Sequence, residues 1–214
     1  MSYSEFSLAK VKEQFKLKTV EKVGIFPDVP ELSASKLLLD ILPYNQPIAL
    51  GSNSEKARSE LIISPILVDL RRQLHEQINL FSGVDFTVDE TQGLSGICDF
   101  IITKSPEILA ITAPVITVVE AKKENINAGL GPCAAEMIAA QIFNQQSKEK
   151  LGENIANINV IYGVVTTGSI WQFLTLQKQI LSIDLQEYYL QDVNKILGIL
   201  ASSISDMDVK VNEQ

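Results

Sequence analysis

The chain has 214 residues, 46% of them hydrophobic and 21% charged, with a formal net charge of −8. That is enough apolar material for one packed domain and too little charge for a disordered chain. The sign argues against a general nucleic-acid coat, although a local basic groove stays open. There is one histidine, His75, which excludes His-rich metal sites, and the two cysteines, Cys98 and Cys133, stand singly without a C-x-x-C pair. Reduced thiols and a cytoplasmic setting are the expectation. No apolar run approaches the roughly 20 residues that span a bilayer, and the opening MSYSEFSLAKVKEQ lacks the apolar centre of a signal peptide.

In chain order, residues 1–50 read as a preamble that packs on the core. Leu8, Val11 and Phe15 have helical spacing, and Phe15–Val23 drifts toward strand-like alternation. Lys10, Lys12, Lys16, Lys18 and Lys22 form either a solvated face or an arm that contacts phosphate. Ser35–Ile41 reads as a short helix and Pro43–Gly51 as a loop. Ser52-x-x-Glu55 has the form of a capping box and opens a helix expected to reach about Leu80. Ile62, Ile66, Leu70, Leu74 and Ile78 recur every fourth residue along it, with a kink or restart at Pro65. Glu60 borders this apolar stripe, where a glutamate either snorkels or serves a site.

Gly83–Asp89 alternates as a strand, and Thr91–Gly96 is a turn. Ile97–Thr103 is apolar on both faces, the mark of a central strand, yet it carries Asp99 on the face of Ile97 and Ile101. Pro114–Lys122 is a second buried strand, placing Ile116, Val118, Glu120 and Lys122 on one face. Gly129–Pro132 leads into a helix with Pro132 in its first turn, followed by the Ala-rich stretch to Gln146. Glu136 on this helix reads either as a residue within reach of the site or, in preference, as an ordinary salt-bridge partner. Ile158–Thr166 and Ile170–Leu176 form a hairpin around Thr167-Gly168, with Trp171 either packing or offering a base-stacking platform. Leu185, Tyr189, Val193, Ile196 and Leu200 give a last amphipathic helix, and 205–214 is a frayed tail. The order of helix, three-strand meander, helix, strand and strand predicts an α/β sandwich with a central mixed sheet, its domain proper spanning 51–204.

Asp99 on one strand and Glu120-x-Lys122 at the end of the next form the pattern that carries chemistry. Mg²⁺ takes hard oxygen ligands and keeps several waters, so two or three carboxylates suffice to hold it beside a phosphate. A lysine next to it positions water or steadies charge on phosphorus. Asp208-Val-Lys210 repeats the spacing in the polar tail without a strand before it, and is read as a decoy.

With Glu60 on the preceding helix, Gly96–Asp99 and Val119–Lys122, the arrangement resembles the PD-(D/E)XK nuclease superfamily over roughly residues 54–177. Tyr162–Gly168 with Trp171 and Phe173 is similar to the hairpin of the N-terminal nuclease domain of type I restriction R subunits. The resemblance implies a restriction-endonuclease-like three-layer sandwich. It implies Asp99 and Glu120 as ligands of Mg²⁺ (with Mn²⁺ as substitute), Lys122 as catalytic and Glu60 as an accessory acid. Some relatives carry Gln-x-x-x-Tyr on the second helix; Gln141 matches its first position, but Gln145 stands where the tyrosine belongs. The implied activity is Mg²⁺-dependent cleavage of DNA, with RNA open, in a homodimer or a larger restriction-type complex. A basic rim from Lys104, Lys122, Lys123 and the N-terminal lysines is then expected. The acidic net charge keeps a second reading, a nuclease-fold binding or assembly module without turnover.

Overall fold

A computed structural model describes residues 2–151 and 158–205. Residues 206–214, which include the decoy Asp208-Val-Lys210, lie outside the described residues. Helix α1, Leu8–Phe15, is capped by the Ser7 side chain, which accepts from the Lys10 amide, and strand β1 follows at Lys18–Lys22. Both elements follow the predicted pattern.

Helix α2 runs over Lys36–Gly51, through the stretch expected to be a loop. Leu38, Leu42 and Ala49 are buried on one side, and that burial outweighs the two prolines. Pro43 and Pro47 both lie on the solvent side, where water reaches the carbonyls they leave unpaired. Ser52 belongs to the end of α2, its hydroxyl donating to the Ala49 carbonyl, so the expected capping box does not form. Ser54 caps the next helix instead, accepting from the Ala57 amide.

That helix is continuous but changes pitch: α3 covers Glu55–Arg58, a π turn covers Ser59–Ile63, and α4 covers Ser64–Gln73. Pro65 cannot donate to the Leu61 carbonyl one turn back. The Asn45 side-chain amide of α2 supplies that bond at 2.8 Å. The helix ends before Leu80 because His75 and Glu76 take left-handed backbone angles, φ 50° and 61°. Asn79 then opens β2, Asn79–Asp85, four residues ahead of the predicted strand, accepting from Arg71 and donating to the Glu107 carbonyl. The predicted residues Phe86 and Val88 continue the ladder irregularly, bonding to Gly96 and Leu94.

Strands β3 (Ile97–Thr103) and β4 (Val115–Ala121) complete an antiparallel meander. Helix α5, Ile126–Leu151, crosses over to β5 (Ile161–Thr166), which lies parallel to β4. Strands β6 (Ile170–Gln177) and β7 (Ile180–Asp184) follow antiparallel, and β1 pairs parallel with β7. The sheet is mixed and eight-stranded, in the order β1-β7-β6-β5-β4-β3-β2, with the two-residue β8 (Tyr188–Tyr189) against β6. Leu185–Tyr189 therefore belongs to the sheet side, and the last helix, α6, starts only at Val193 and is described to Ser205.

Helices cover both faces, an arrangement compatible with a three-layer sandwich. α2, α4 and α6 enclose one apolar core, with Ile66, Leu70, Val119, Phe173 and Ile196. α1 and α5 enclose the other, with Val11, Ile101, Val118, Cys133 and Met137. A register shift between Ile102 and Thr103 opposite β4 sends Ile116 into the first core. Ile116 thus does not share the face of Val118 and Glu120, as simple alternation predicts. Pro132 sits inside α5, not in its first turn, and Gly131 beside it lets the N-terminal segment cross: a Cβ there would meet the Phe6 carbonyl oxygen at 2.2 Å.

Candidate active site

Past the shift at Thr103, β3 and β4 pair regularly from Ile102 opposite Thr117 to Phe100 opposite Val119. Beyond that point the Asp99 carboxylate takes over the ladder, accepting from the Ala121 amide at 2.8 Å. The main chain of Lys122 is tied to the other neighbour strand, its amide donating to the Thr166 carbonyl at 2.8 Å. Glu120 and Lys122 therefore emerge at the end of β4, held between β3 and β5. Glu120 is buried, and its Oε1 lies 2.6 Å from Lys122 Nζ. Both side chains pass over Gly129 of α5, whose hypothetical Cβ would meet Lys122 Cγ at 3.2 Å and Val165 Cγ1 at 2.4 Å. Glycine at 129 is thus a close-approach residue that makes room for the pair.

Four acids and one lysine share this end of the sheet. Burial pushes the Asp99 carboxyl up, against the Ala121 amide and Lys122, and Glu55 adds to the rise. Burial likewise raises Glu120, the Lys122 charge and hydrogen bond oppose it, and Asp99 and Glu55 raise it further. Burial by itself would lower Lys122, but Glu120, Glu55 and Asp99 outweigh it and hold the ammonium charged. Glu136 of α5 is 1% exposed and is pushed well above the usual carboxylate range by burial, then by Glu120 and Asp99. Its buried Oε2 has no hydrogen-bond partner among the described residues. The excess of carboxylate over ammonium is what a cation would relieve.

The structure thus brings Asp99, Glu120 and Lys122 together. Glu60 lies on the π turn, largely exposed, with its Oε1 3.0 Å from Lys56 Nζ. It rims a groove of about 320 Å³ that also exposes Asp99, Glu55 and Ser82. The acid that reaches the cluster from this helix is Glu55, whose Oε2 accepts from the Lys123 amide at 3.1 Å. Gln141 is half-buried on α5, five residues past Glu136 and so about 140° around the helix from it. Trp171 is fully buried, its indole donating to the Gly168 carbonyl, so it packs and offers no stacking face. Sequence reading missed Glu55 as a site acid and, for Glu136, preferred an ordinary salt bridge to reach toward the site. A signal for Glu136 was present: it is the only charged residue in the run Pro132–Ala140.

No protein-family model and no curated protein matches the chain. Among the described residues no group of three or more His, Cys, Asp or Glu side chains is placed to hold a metal ion. The available set is two hard oxygen donors, Asp99 and Glu120, next to an ammonium. That set fits Mg²⁺, which binds through one or two carboxylates and keeps waters for the remaining positions, and does not fit a zinc site built from His and Cys. No helix among the described residues is long and apolar enough to cross a membrane.

Proposed function

We propose that the protein is a Mg²⁺-dependent phosphodiesterase of restriction-endonuclease-like fold that cleaves DNA. One observation carries the reading: half-buried Asp99 and the Glu120–Lys122 pair, with Glu120 buried, meet at a single sheet end with more carboxylate than the one ammonium neutralises. Asp99 and Glu120 would hold Mg²⁺, or Mn²⁺ in its place. Bound there, the ion supplies Lewis-acid polarisation of a phosphate oxygen and lowers the pKa of a coordinated water. The protein's own part is placement. The Ala121 amide fixes the Asp99 carboxylate, and the Thr166 carbonyl fixes the main chain at Lys122. Lys122, kept protonated by its acidic neighbours, orients the attacking water and stabilises charge that develops on the phosphoryl oxygens. Glu55 holds the Lys123 amide and steadies the turn that carries Lys122.

The test is a cleavage assay on single- and double-stranded DNA and on RNA, with Mg²⁺ or Mn²⁺, beside Lys122→Ala, Asp99→Ala and Glu120→Ala. Cleavage should fall at least 100-fold in each variant, because each removes charge placed at the reacting phosphate. Lys122→Ala should still bind Mn²⁺, whereas the two acid variants should not. Equal cleavage by wild type and all three variants would put the chemistry elsewhere.

A second reading, a nuclease-fold module that binds or assembles without turnover, draws on the charge distribution. The net charge is −8, and Lys18 and Lys22 lie on β1, four strands from β4, so they cannot rim the site. Metal binding without cleavage of any of the three substrates favours this reading.

A further inference from the structure

We propose that the outer face of α2 and α4 is an interface at which two copies of this chain pair about a two-fold axis. The inference stands apart from the metal reading. A surface helix needs one apolar stripe, the one that faces its core. Helix α2 carries two. Leu38, Leu42 and Ala49 are buried against the core, while Leu37, Ile41, Tyr44 and Ile48 form a second stripe that is exposed, Tyr44 to 79%. The second stripe advances by four, three and four residues, the spacing with which one helix packs along another. No charged residue lies between Asp40 and Glu55 to suit this face to water. Contiguous apolar patches of this kind mark interaction sites.

Charge says what covers it. Beside the stripe lies a groove of about 290 Å³, lined by Leu37 and Ile41 of α2 and by Pro65 and Val68 of α4. Glu60 and Arg72 line it too, separated along the helix by about 18 Å at 1.5 Å per residue. The Arg72 guanidinium has no partner among the described residues, and Glu60 meets only Lys56, through one oxygen. Asp69, the remaining charged group of the lining, is buried and taken up by the Ser35 amide and Gln73. A two-fold axis through the middle of the groove exchanges its ends. Glu60 of each copy then meets Arg72 of the other, and the apolar stripes close between the two ion pairs. A groove with an acid at one end and an unpaired cation at the other is complementary to its own reverse, which selects a second copy as the occupant. The net charge of −8 repels only at longer range, and salt at physiological strength screens it beyond about 8 Å. Glu60 also rims the groove that exposes Asp99, so the interface ends at the edge of the candidate site and leaves it open.

The experiment is sedimentation equilibrium of the full chain at loadings up to about 100 µM, where micromolar association is complete enough to measure. Wild type should show a monomer–dimer equilibrium. Leu37→Glu and Val68→Glu, both at exposed positions that the fold does not need, should each raise the dimer dissociation constant by about 30-fold or more. Leu109→Glu, at an exposed apolar residue on the connection from β3 to β4, should leave it unchanged and controls for general stickiness. Glu60→Arg and Arg72→Glu each set like charges against one another at both ends of the groove, so each variant alone should be monomeric. Mixed together they should form a heterodimer, and the two substitutions in one chain should restore the homodimer. A wild type that stays monomeric at the highest loading overturns the proposal and leaves the face to a different protein. A dimer that Leu37→Glu and Val68→Glu do not weaken, or charge variants that fail to associate on mixing, overturns it as well.

Discussion

Glu55 and Glu60 lie five residues apart on one helix, yet they face different tasks. Glu55 crosses to the Lys123 amide, and its charge acts on Asp99, Glu120 and Lys122. Glu60 pairs with Lys56 in solvent, the kind of exposed ion pair that is worth about 0–1 kcal/mol. Glu55→Gln should therefore lower cleavage by about 10-fold or more, and Glu60→Gln should stay within about twofold of wild type. Single-turnover rates at saturating Mg²⁺ decide this; the reverse order would return the accessory role to Glu60. Asp99, Glu120 and Lys122 were legible in the sequence because a charge inside an apolar, β-branched run is a local anomaly. Glu55 and Glu136 were not, because their roles depend on where α3 and α5 pack, and a sequence pattern states that an acid is on a helix without saying what lies across from it.

At the scale of elements, the π turn at Ser59–Ile63 joins helix geometry to the site. It accommodates Pro65, and the carbonyl that Pro65 leaves free, that of Leu61, is bonded by Asn45 from α2. Asn45→Ala removes the side-chain bond to that carbonyl and should destabilise the protein by about 1–3 kcal/mol, measured by denaturant unfolding. Asn45→Asp should be as damaging, because an ionised carboxylate cannot donate to a carbonyl. An Ala variant as stable as wild type would mean that water replaces the amide. Gly129→Ala tests the other side of the site: its Cβ would press on Val165 and Lys122, so overpacking should cost about 1–3 kcal/mol and lower cleavage together. The order of β2, β3, β4, α5, β5 and β6 could be read from periodicity, since apolar alternation is set residue by residue. The boundaries of α2, α4 and α6 could not. Burial of Leu38, Leu42 and Ala49 overrides two prolines, left-handed residues at His75 and Glu76 end a helix whose apolar repeat continues to Ile78, and β7 exists through pairing with β6 and with the distant β1.

For the whole molecule, the crowded acids at one sheet end set how stability responds to pH and to metal. Asp99, Glu120 and Glu136 all bind protons more tightly in the folded chain than in the unfolded one. Between their ordinary values and their raised ones, the folded state carries more protons, so the slope of unfolding free energy with pH is negative. The stability they contribute is complete below the ordinary carboxylate range and is lost as pH rises through the raised values. Asp89 acts in the opposite sense, since hydrogen bonds from Thr91 and Gln92 lower it, but its window lies below the ordinary carboxylate range and does not overlap. Metal-free protein should therefore melt at a higher temperature near pH ~5.5 than near pH ~8. A His75→Gln background removes the one histidine from the measurement. Mg²⁺ should raise the melting temperature more at the higher pH, where the site acids have lost protons and the cation replaces them; at ten times its dissociation constant the gain is about 1.4 kcal/mol. Glu120→Gln should flatten the pH slope and abolish the Mg²⁺ response together. Scanning fluorimetry over pH, with and without Mg²⁺, measures all of this in one series. A melting temperature that rises from pH ~5.5 to ~8 without metal would contradict the crowded-acid account. A Mg²⁺ response that survives in Glu120→Gln would place the cation away from this end of the sheet.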